Sequence, residues 1–552
     1  MENRFVPYSD GPSEQDRTAI APTIEAIRKV FQVHSFSIGV VYHGETVYTK
    51  GFGYANQENS RVPDKDTIYT LASCTKGFTG TAIGLLAYQG KINLDEKVTH
   101  YLPSFHTKNS PAVSQQMTVK DLLSHCSGLS PLPYEVIGKN GSVFARREDV
   151  IQICNNHPHE SDFCSEWKYN NWMTFGQLVQ HEVFDPLGMT RTATKNPKTD
   201  DNYARPYLAF SDGSSDPVQL PGLSDGWAFD ASGSLRSSVS DMLTWAKALM
   251  NARRTSFDDH KEVSPPYSYP FSWLSACLKS RQPRPPHPLV TRPRPKGRQT
   301  PHFPLATDPN QAYALSLFTF QLPTTEMNLV TNTDVITTPY RIGAASPPLT
   351  VVGHTGELGG FLSAYWTLSE EDSAVVVLCN SFQLNGDPTN IVAQLLIQTL
   401  FNLQPQVDFL SVAPEIVTNA KARWHTLVHE WTAHRIQGTV PSEAQSYAGT
   451  YTNTGLAMSL EVVAEGSSKL RLCINDNEEQ TFELYHYHRD TWTFLPASRD
   501  EAIRQGYSPY LYSRQAFLIE FTDVADNHFQ SIRWKLDFDQ RIEKQVFDFS
   551  AK

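Results

Sequence analysis

The stretch Leu71-Ala72-Ser73-Cys74-Thr75-Lys76-Gly77-Phe78 constrains this chain more than any other. It reads as the start of a helix. Residues three apart on a helix share a face, so Ser73 and Lys76 project together into one cleft. A serine hydroxyl is a poor nucleophile until a neighbouring base takes its proton, and a lysine can help once burial or nearby positive charge lowers its pKa. The spacing therefore predicts a place where a hydroxyl can be activated.

A chain of 552 residues exceeds one ordinary core, and its 40% hydrophobic and 11% aromatic content can bury two. The formal net charge of −11 argues against nucleic acid or an anionic membrane surface as partner. The N-terminus lacks a charged-then-apolar leader pattern, and no apolar run approaches the roughly 20 residues of a membrane helix, so no membrane and a cytoplasmic setting are expected. The seven cysteines are scattered without a C-x-x-C pair, which predicts reduced thiols.

In chain order, a helix is expected over 22–32 with Pro22 in its first turn, followed by a hairpin, 36–42 and 45–52, turning at His43-Gly44. Another helix runs from Lys76 to Gly90, and Thr118 caps a short one carrying Leu122 and Leu123 inward. His125, just after it, reads as a helix-end histidine bonding backbone, because no metal-type spacing accompanies it. His157-Pro158-His159-Glu160 and the group His425, His429, Glu430 and His434 also lack zinc spacing and read as solvated polar residues. No metal is expected. Residues 279–301, dense in Pro and Arg without one acid, read as an exposed insertion that cannot pack a core.

The order "LASCTKGFTGTAIGLL", "GKINLDEKVTHYLP", "MTVKDLLSHCSGL" resembles the serine β-lactamase and penicillin-binding-protein superfamily, closest to class C β-lactamases and their esterase relatives. That family carries a Y-x-N element after the nucleophile helix and a K-T-G or H-x-G element on a later strand. Tyr169-Asn170-Asn171 and His354-Thr355-Gly356 stand in that order here, with "VFDPLGMTRT" and "FDASGSLRSSVSDMLTWAKALM" between them. The resemblance implies an α+β fold: an antiparallel sheet flanked by helices, plus a mostly helical lobe, with Ser73 between the two. Strands 362–367 and 373–379 would flank the H-T-G strand, and an apolar helix over 389–403 would partner the N-terminal helix. Short alternating strands from about Met458 onward read as a small β-barrel or sandwich, similar to the lipocalin-like domain appended to many relatives. The expected division is a catalytic domain at 1–405, a linker helix within 406–440 and a β domain at 441–552.

The resemblance also assigns roles. Ser73 attacks an acyl carbonyl while Lys76 and Tyr169 share the proton work, with flanking ammonium charge expected to stabilise the Tyr169 phenolate. Asn171 holds Lys76 and substrate. The backbone N–H groups of Ser73 and Glu357 serve the oxyanion beside Thr355 and Gly356. His354, where relatives acting on penicillins carry lysine, is mostly neutral at pH 7 and tilts the substrate toward a neutral small-molecule ester, amide or thioester. No cofactor is implied. The segment from Asn171 to Pro186 is about a dozen residues shorter than expected for the family. The reading is a serine hydrolase working through an acyl-enzyme on Ser73. Relatives without a signal peptide imply natural-product metabolism. An acyltransferase using the same intermediate and an inactive binding protein of the same fold stay open, as does the oligomeric state.

Overall fold

A computed structural model describes residues 14–130, 138–143, 145–171, 179–195, 200–218, 228, 230–255, 303–304, 311–325, 327, 332, 335–381, 385–466, 469–507, 513–536 and 542–550. The Pro- and Arg-rich stretch 279–301 and residues 172–178 of the shortened segment after Asn171 lie outside the described residues.

Strands β1 (Ser35–Tyr42) and β2 (Glu45–Gly53) form the expected hairpin. His43 and Gly44 both take positive φ, 47° and 83°, the backbone that a two-residue turn between right-twisted strands needs. Short ribbons follow, β3 (Tyr69–Thr70) with β6 (Arg236–Ser237), and β4 (Tyr207–Ala209) with β5 (Ser215–Pro217). The main sheet is completed by β7 (Phe303–Pro304), β8 (Gln311–Ala314), β9 (Leu317–Leu322), β10 (Leu349–Leu358), β11 (Phe361–Leu368) and β12 (Ser373–Cys379). Its order is β2-β1-β12-β11-β10-β9-β8-β7. β11 flanks the H-T-G strand β10 as expected, but β12 does not; it pairs with β11 and β1, and β9 takes the other side of β10.

β12 shows why its text is a continuous apolar run. Val375, Val377 and Cys379 join the core on one face, while Ala374, Val376 and Leu378 join the core on the other. The first face is covered by α1 (Glu14–Val30), α4 (Pro388–Leu400) and the start of α5 (Phe409–Ala433). The second is covered by α2 (Thr75–Tyr88) and α3 (Val239–Thr255). α1 starts earlier than its proline suggested, because the buried stripe Ile24, Ile27 and Phe31 continues back one turn to Ile20.

From Gly449 the chain forms a closed eight-stranded barrel: Gly449–Asn453, Met458–Ala464, Lys469–Ile474, Asn477–His488, Thr491–Thr493, Leu518–Ala525, His528–Trp534 and Gln545–Ser550. Side chains such as Tyr451, Trp492, Phe517, Trp534 and Phe547 fill it. α5 serves both parts: Phe409, Ala413, Ile416 and Ala420 pack under the sheet, and Leu427 enters the barrel core. The sheet-and-helix part also docks on the barrel through Lys139, whose N–H donates to Gln480 Oε1 at 2.7 Å and whose ammonium lies 4.5 Å from the Phe482 ring centre.

Two expectations need correction here. Cys126 and Cys164 are joined as a disulfide rather than standing as separate thiols; 38 residues and no C-x-x-C spacing separate them in sequence, so only the fold reveals the pair. The His157 group is not solvated: His157 is buried, and Glu160 pairs with Lys168 at 3.0 Å with its side chain nearly covered. His425, His429, Glu430 and His434, by contrast, are all exposed, as expected. No described helix is long and apolar enough to cross a membrane.

Candidate active site

The nucleophile turn is clamped before the helix begins. Leu71 N–H donates to Leu235 O at 2.7 Å, and Ser363 Oγ donates to Leu71 O at 2.6 Å. Ala72 is held at φ 48°, a conformation unfavourable for a residue with a Cβ, and the 3₁₀ turn Ala72–Cys74 then runs into α2. Ser73 is the half-exposed member of an otherwise buried run from Leu71 to Ala82. Gly356 explains itself: a Cβ there would lie 2.3 Å from Leu71 O and 2.9 Å from Ser73 N, so β10 can approach the turn only as glycine.

Lys76 is fully buried beneath Ser73. Its Nζ lies 3.3 Å from Ser73 Oγ, 2.5 Å from Asn171 Oδ1 and 3.2 Å from Ser232 O. Burial holds this amine well below the usual lysine range. Ser232, in the short helix Asp230–Gly233, also donates from Oγ to Asn171 O at 3.0 Å and so fixes both the lysine and its partner. Sequence reasoning missed Ser232, since it contributes a carbonyl that no side-chain motif announces.

Tyr169 differs from expectation. The Lys76 amine sits over the face of its ring, 4.6 Å from the centre. Burial dominates and pushes the phenol well above its usual value. The hydroxyl is buried without a hydrogen bond of normal geometry, although Ser73 is near enough to oppose the rise. Tyr169 is therefore a neutral phenol and the amine is the better base. Cys74, between Ser73 and the sheet, is pushed up to about 12 by burial and stays an unreactive thiol.

β10 brings the remaining predicted residues. His354 is fully buried; its Nε2 lies 3.2 Å from Tyr313 Oη and its Nδ1 contacts Thr355 O. Burial first, then the Lys76 charge, lowers it to about 3, so this histidine is neutral. Thr355 is buried and Glu357 half-buried, paired across to Leu362. His125 also belongs to this cluster: its Nδ1 accepts from Asn170 N–H at 3.3 Å, the backbone bond expected of it, but its ring packs 4.9 Å from that of Tyr169. The structure thus gathers Ser73, Lys76, Tyr169, Asn171 and His354 around one point, with Thr355, Gly356 and Glu357 along the strand beside it.

The profile of the beta-lactamase family matches residues 23–398, which span every one of these residues. The chain belongs to the beta-lactamase family. This is a family of serine hydrolases with esterases among its members. A domain of unknown function, DUF3471, matches residues 434–549, the barrel. The esterase EstB of Burkholderia gladioli is 34% identical over 122 residues, 22% of this chain and 30% of its own. The mitochondrial serine beta-lactamase-like protein LACTB of Bos taurus is 41% identical over 93 residues, 17% and 16% of the two chains. Protein flp of Staphylococcus aureus is 27% identical over 230 residues, 39% of this chain; the match spans 45% of flp. The chain thus covers less than half the length of these relatives. In fold, the octameric penicillin-binding protein homologue from Pyrococcus abyssi superposes with a TM-score of 0.53 at 18% identity, over 97% of this chain and all of its own.

Proposed function

We propose that this beta-lactamase-family protein is a serine hydrolase that cleaves an ester or amide of a small molecule through an acyl-enzyme on Ser73. One observation carries the reading: the three partners of the buried Lys76 amine. Asn171 Oδ1 and Ser232 O can only accept, so they take the two N–H bonds of a neutral amine and turn its lone pair toward Ser73, the one partner with a proton to give. Lys76 takes that proton as Ser73 Oγ attacks the acyl carbonyl. The proton returns to the leaving oxygen or nitrogen through the amine, with the neutral Tyr169 phenol as the adjacent donor. Water then repeats the attack on the acyl-enzyme. The N–H groups of Ser73 and Glu357 stabilise the oxyanion. His354, neutral and buried, offers no permanent cation to a substrate carboxylate, which supports a neutral ester. The sequence resemblance supports a setting in natural-product metabolism.

Intact-mass spectrometry tests this after incubation with a fluorophosphonate and, separately, a p-nitrophenyl ester. Wild type should gain one adduct and Ser73→Ala none. No adduct on folded wild type sinks the hydrolase reading; acyl transfer to an added alcohol in preference to water replaces it with an acyltransferase.

A further inference from the structure

The segment that carries Tyr169 and Asn171 has no secondary structure of its own, so its placement has to come from elsewhere. Asn171 is held by Ser232 and Lys76, and the stretch before it is held by the turn at His125. Lys168 N–H donates to His125 O at 2.9 Å, Cys164 N–H donates to Cys126 O at 2.8 Å, and Asn170 N–H donates to His125 Nδ1 at 3.3 Å. Only the last of these is a side-chain bond, and it falls between the two functional residues. In an extended segment the residues before and after a given position point to the same side. Fixing the Asn170 amide therefore orients Tyr169 and Asn171 together, while the Asn170 side chain turns away to Ser130 O at 3.3 Å.

The imidazole is built for this. It is buried, at a residue held in the left-handed region with φ 53°, and its Nε2 has no hydrogen-bond partner among the described residues. Its one directed side-chain bond is thus the one to Asn170. The ring lies between both walls of the site, 4.9 Å from the Tyr169 ring and 4.8 Å from that of Tyr313, whose hydroxyl meets His354. An imidazolium could not accept from Asn170. Burial keeps the ring neutral.

We infer that His125 is a positioning residue for the proposed reaction: its Nδ1 acceptor and ring pin the Tyr169–Asn171 segment over Lys76. The inference rests on the reading of Ser73 as nucleophile, yet the pinning itself is measurable without turnover. His125→Asn keeps an acceptor where Nδ1 stands; His125→Phe keeps the ring and loses the acceptor. Hydrogen exchange of the 165–171 peptide should quicken about tenfold in the Phe variant and much less in the Asn variant. Fluorophosphonate labelling of Ser73 and kcat for a p-nitrophenyl ester should fall about 10- to 100-fold in the Phe variant, with KM moving far less, and recover in large part in the Asn variant. If the Phe variant does not fold, His125→Gln replaces it, because its carbonyl reaches the Nε2 position and leaves Asn170 without an acceptor. Equal exchange in wild type and the acceptor-less variant overturns the inference, as does equal loss of labelling in both variants. Should wild type take no label, the hydrolase reading falls and exchange alone decides the pinning.

Discussion

The sheet-and-helix part and the barrel bury polar groups in opposite ways. In the barrel, several aromatic side chains keep their polar ends on ordinary partners: Tyr447 Oη donates to Asp490 at 2.6 Å, Tyr451 Oη to Tyr447 O at 3.0 Å, and Trp534 Nε1 to Ala516 O at 2.8 Å, while Trp492 Nε1 is buried without one among the described residues. Around Ser73, by contrast, an amine is buried in the neutral form it does not favour in water. Lys76 and His354 are fully covered, both shifted down by desolvation, beside Tyr169 shifted up. Opposed shifts on neighbouring groups are what an acid–base site needs and what a core built only for stability avoids. The difference assigns chemistry to one part and places much of the apolar packing of the C-terminal half in the other.

Lys76→Met gives the largest effect. Methionine fills much of the lysine volume without the amine, so folding should survive while ester kcat falls roughly 10³-fold, the order expected when a general base is lost. A stopped assay on folded protein checks this, and retention of kcat within about tenfold would remove Lys76 from the mechanism. Next comes Trp492→Ala, which empties a fully buried site in the barrel. It should lower barrel stability by about 3–5 kcal/mol in chemical denaturation while leaving kcat within about twofold. A matching loss of kcat would show that the barrel supports the site, and the contrast would break. Third, Gly356→Ala drives a methyl group against Leu71 O and the Ser73 amide. Labelling of Ser73 should slow about 10²-fold, the scale of a misplacement near 1 Å.

Much of the site was legible because its side chains sit in short contiguous patterns: Ser73 with Lys76, Tyr169 with Asn171, and His354 through Glu357. What escaped works through the backbone or through burial. Ser232 acts by its carbonyl, the backbone amide that His125 was expected to bond proves to lie 45 residues away, and Cys126 reaches Cys164 only once the chain has folded. The Tyr169 pKa was misjudged for the same reason: desolvation outweighs a neighbouring amine, and desolvation is a property of packing. In the fold, β12 could be read from its apolar run but its neighbours could not, since a strand buried on both faces carries no mark of which strands lie beside it. The first barrel strand, Gly449–Asn453, was missed because Tyr451 is its one buried side chain and leaves no alternation to see.

The smallest effect is in acid, and its sign follows from which state binds more protons. His354 and His157 are buried and lowered to about 3, against about 6.5 in an unfolded chain. Between those values the unfolded state holds the extra protons, so stability is complete above about pH 6.5 and declines as pH falls toward 3. From pH 7.5 to 5.5 each histidine should cost the sheet-and-helix part about 1 kcal/mol. In the barrel His488 is shifted the same way, but it is only half-buried and solvent screens it. Calorimetry at the two pH values should therefore show one transition moving down by about 5 °C more than the other. Trp492→Ala identifies the barrel transition independently, because that substitution lowers it at either pH. If the acid-sensitive transition proves to be the one that Trp492→Ala lowers, the buried neutral histidines do not set the acid response and the contrast between the two parts fails at its electrostatic end.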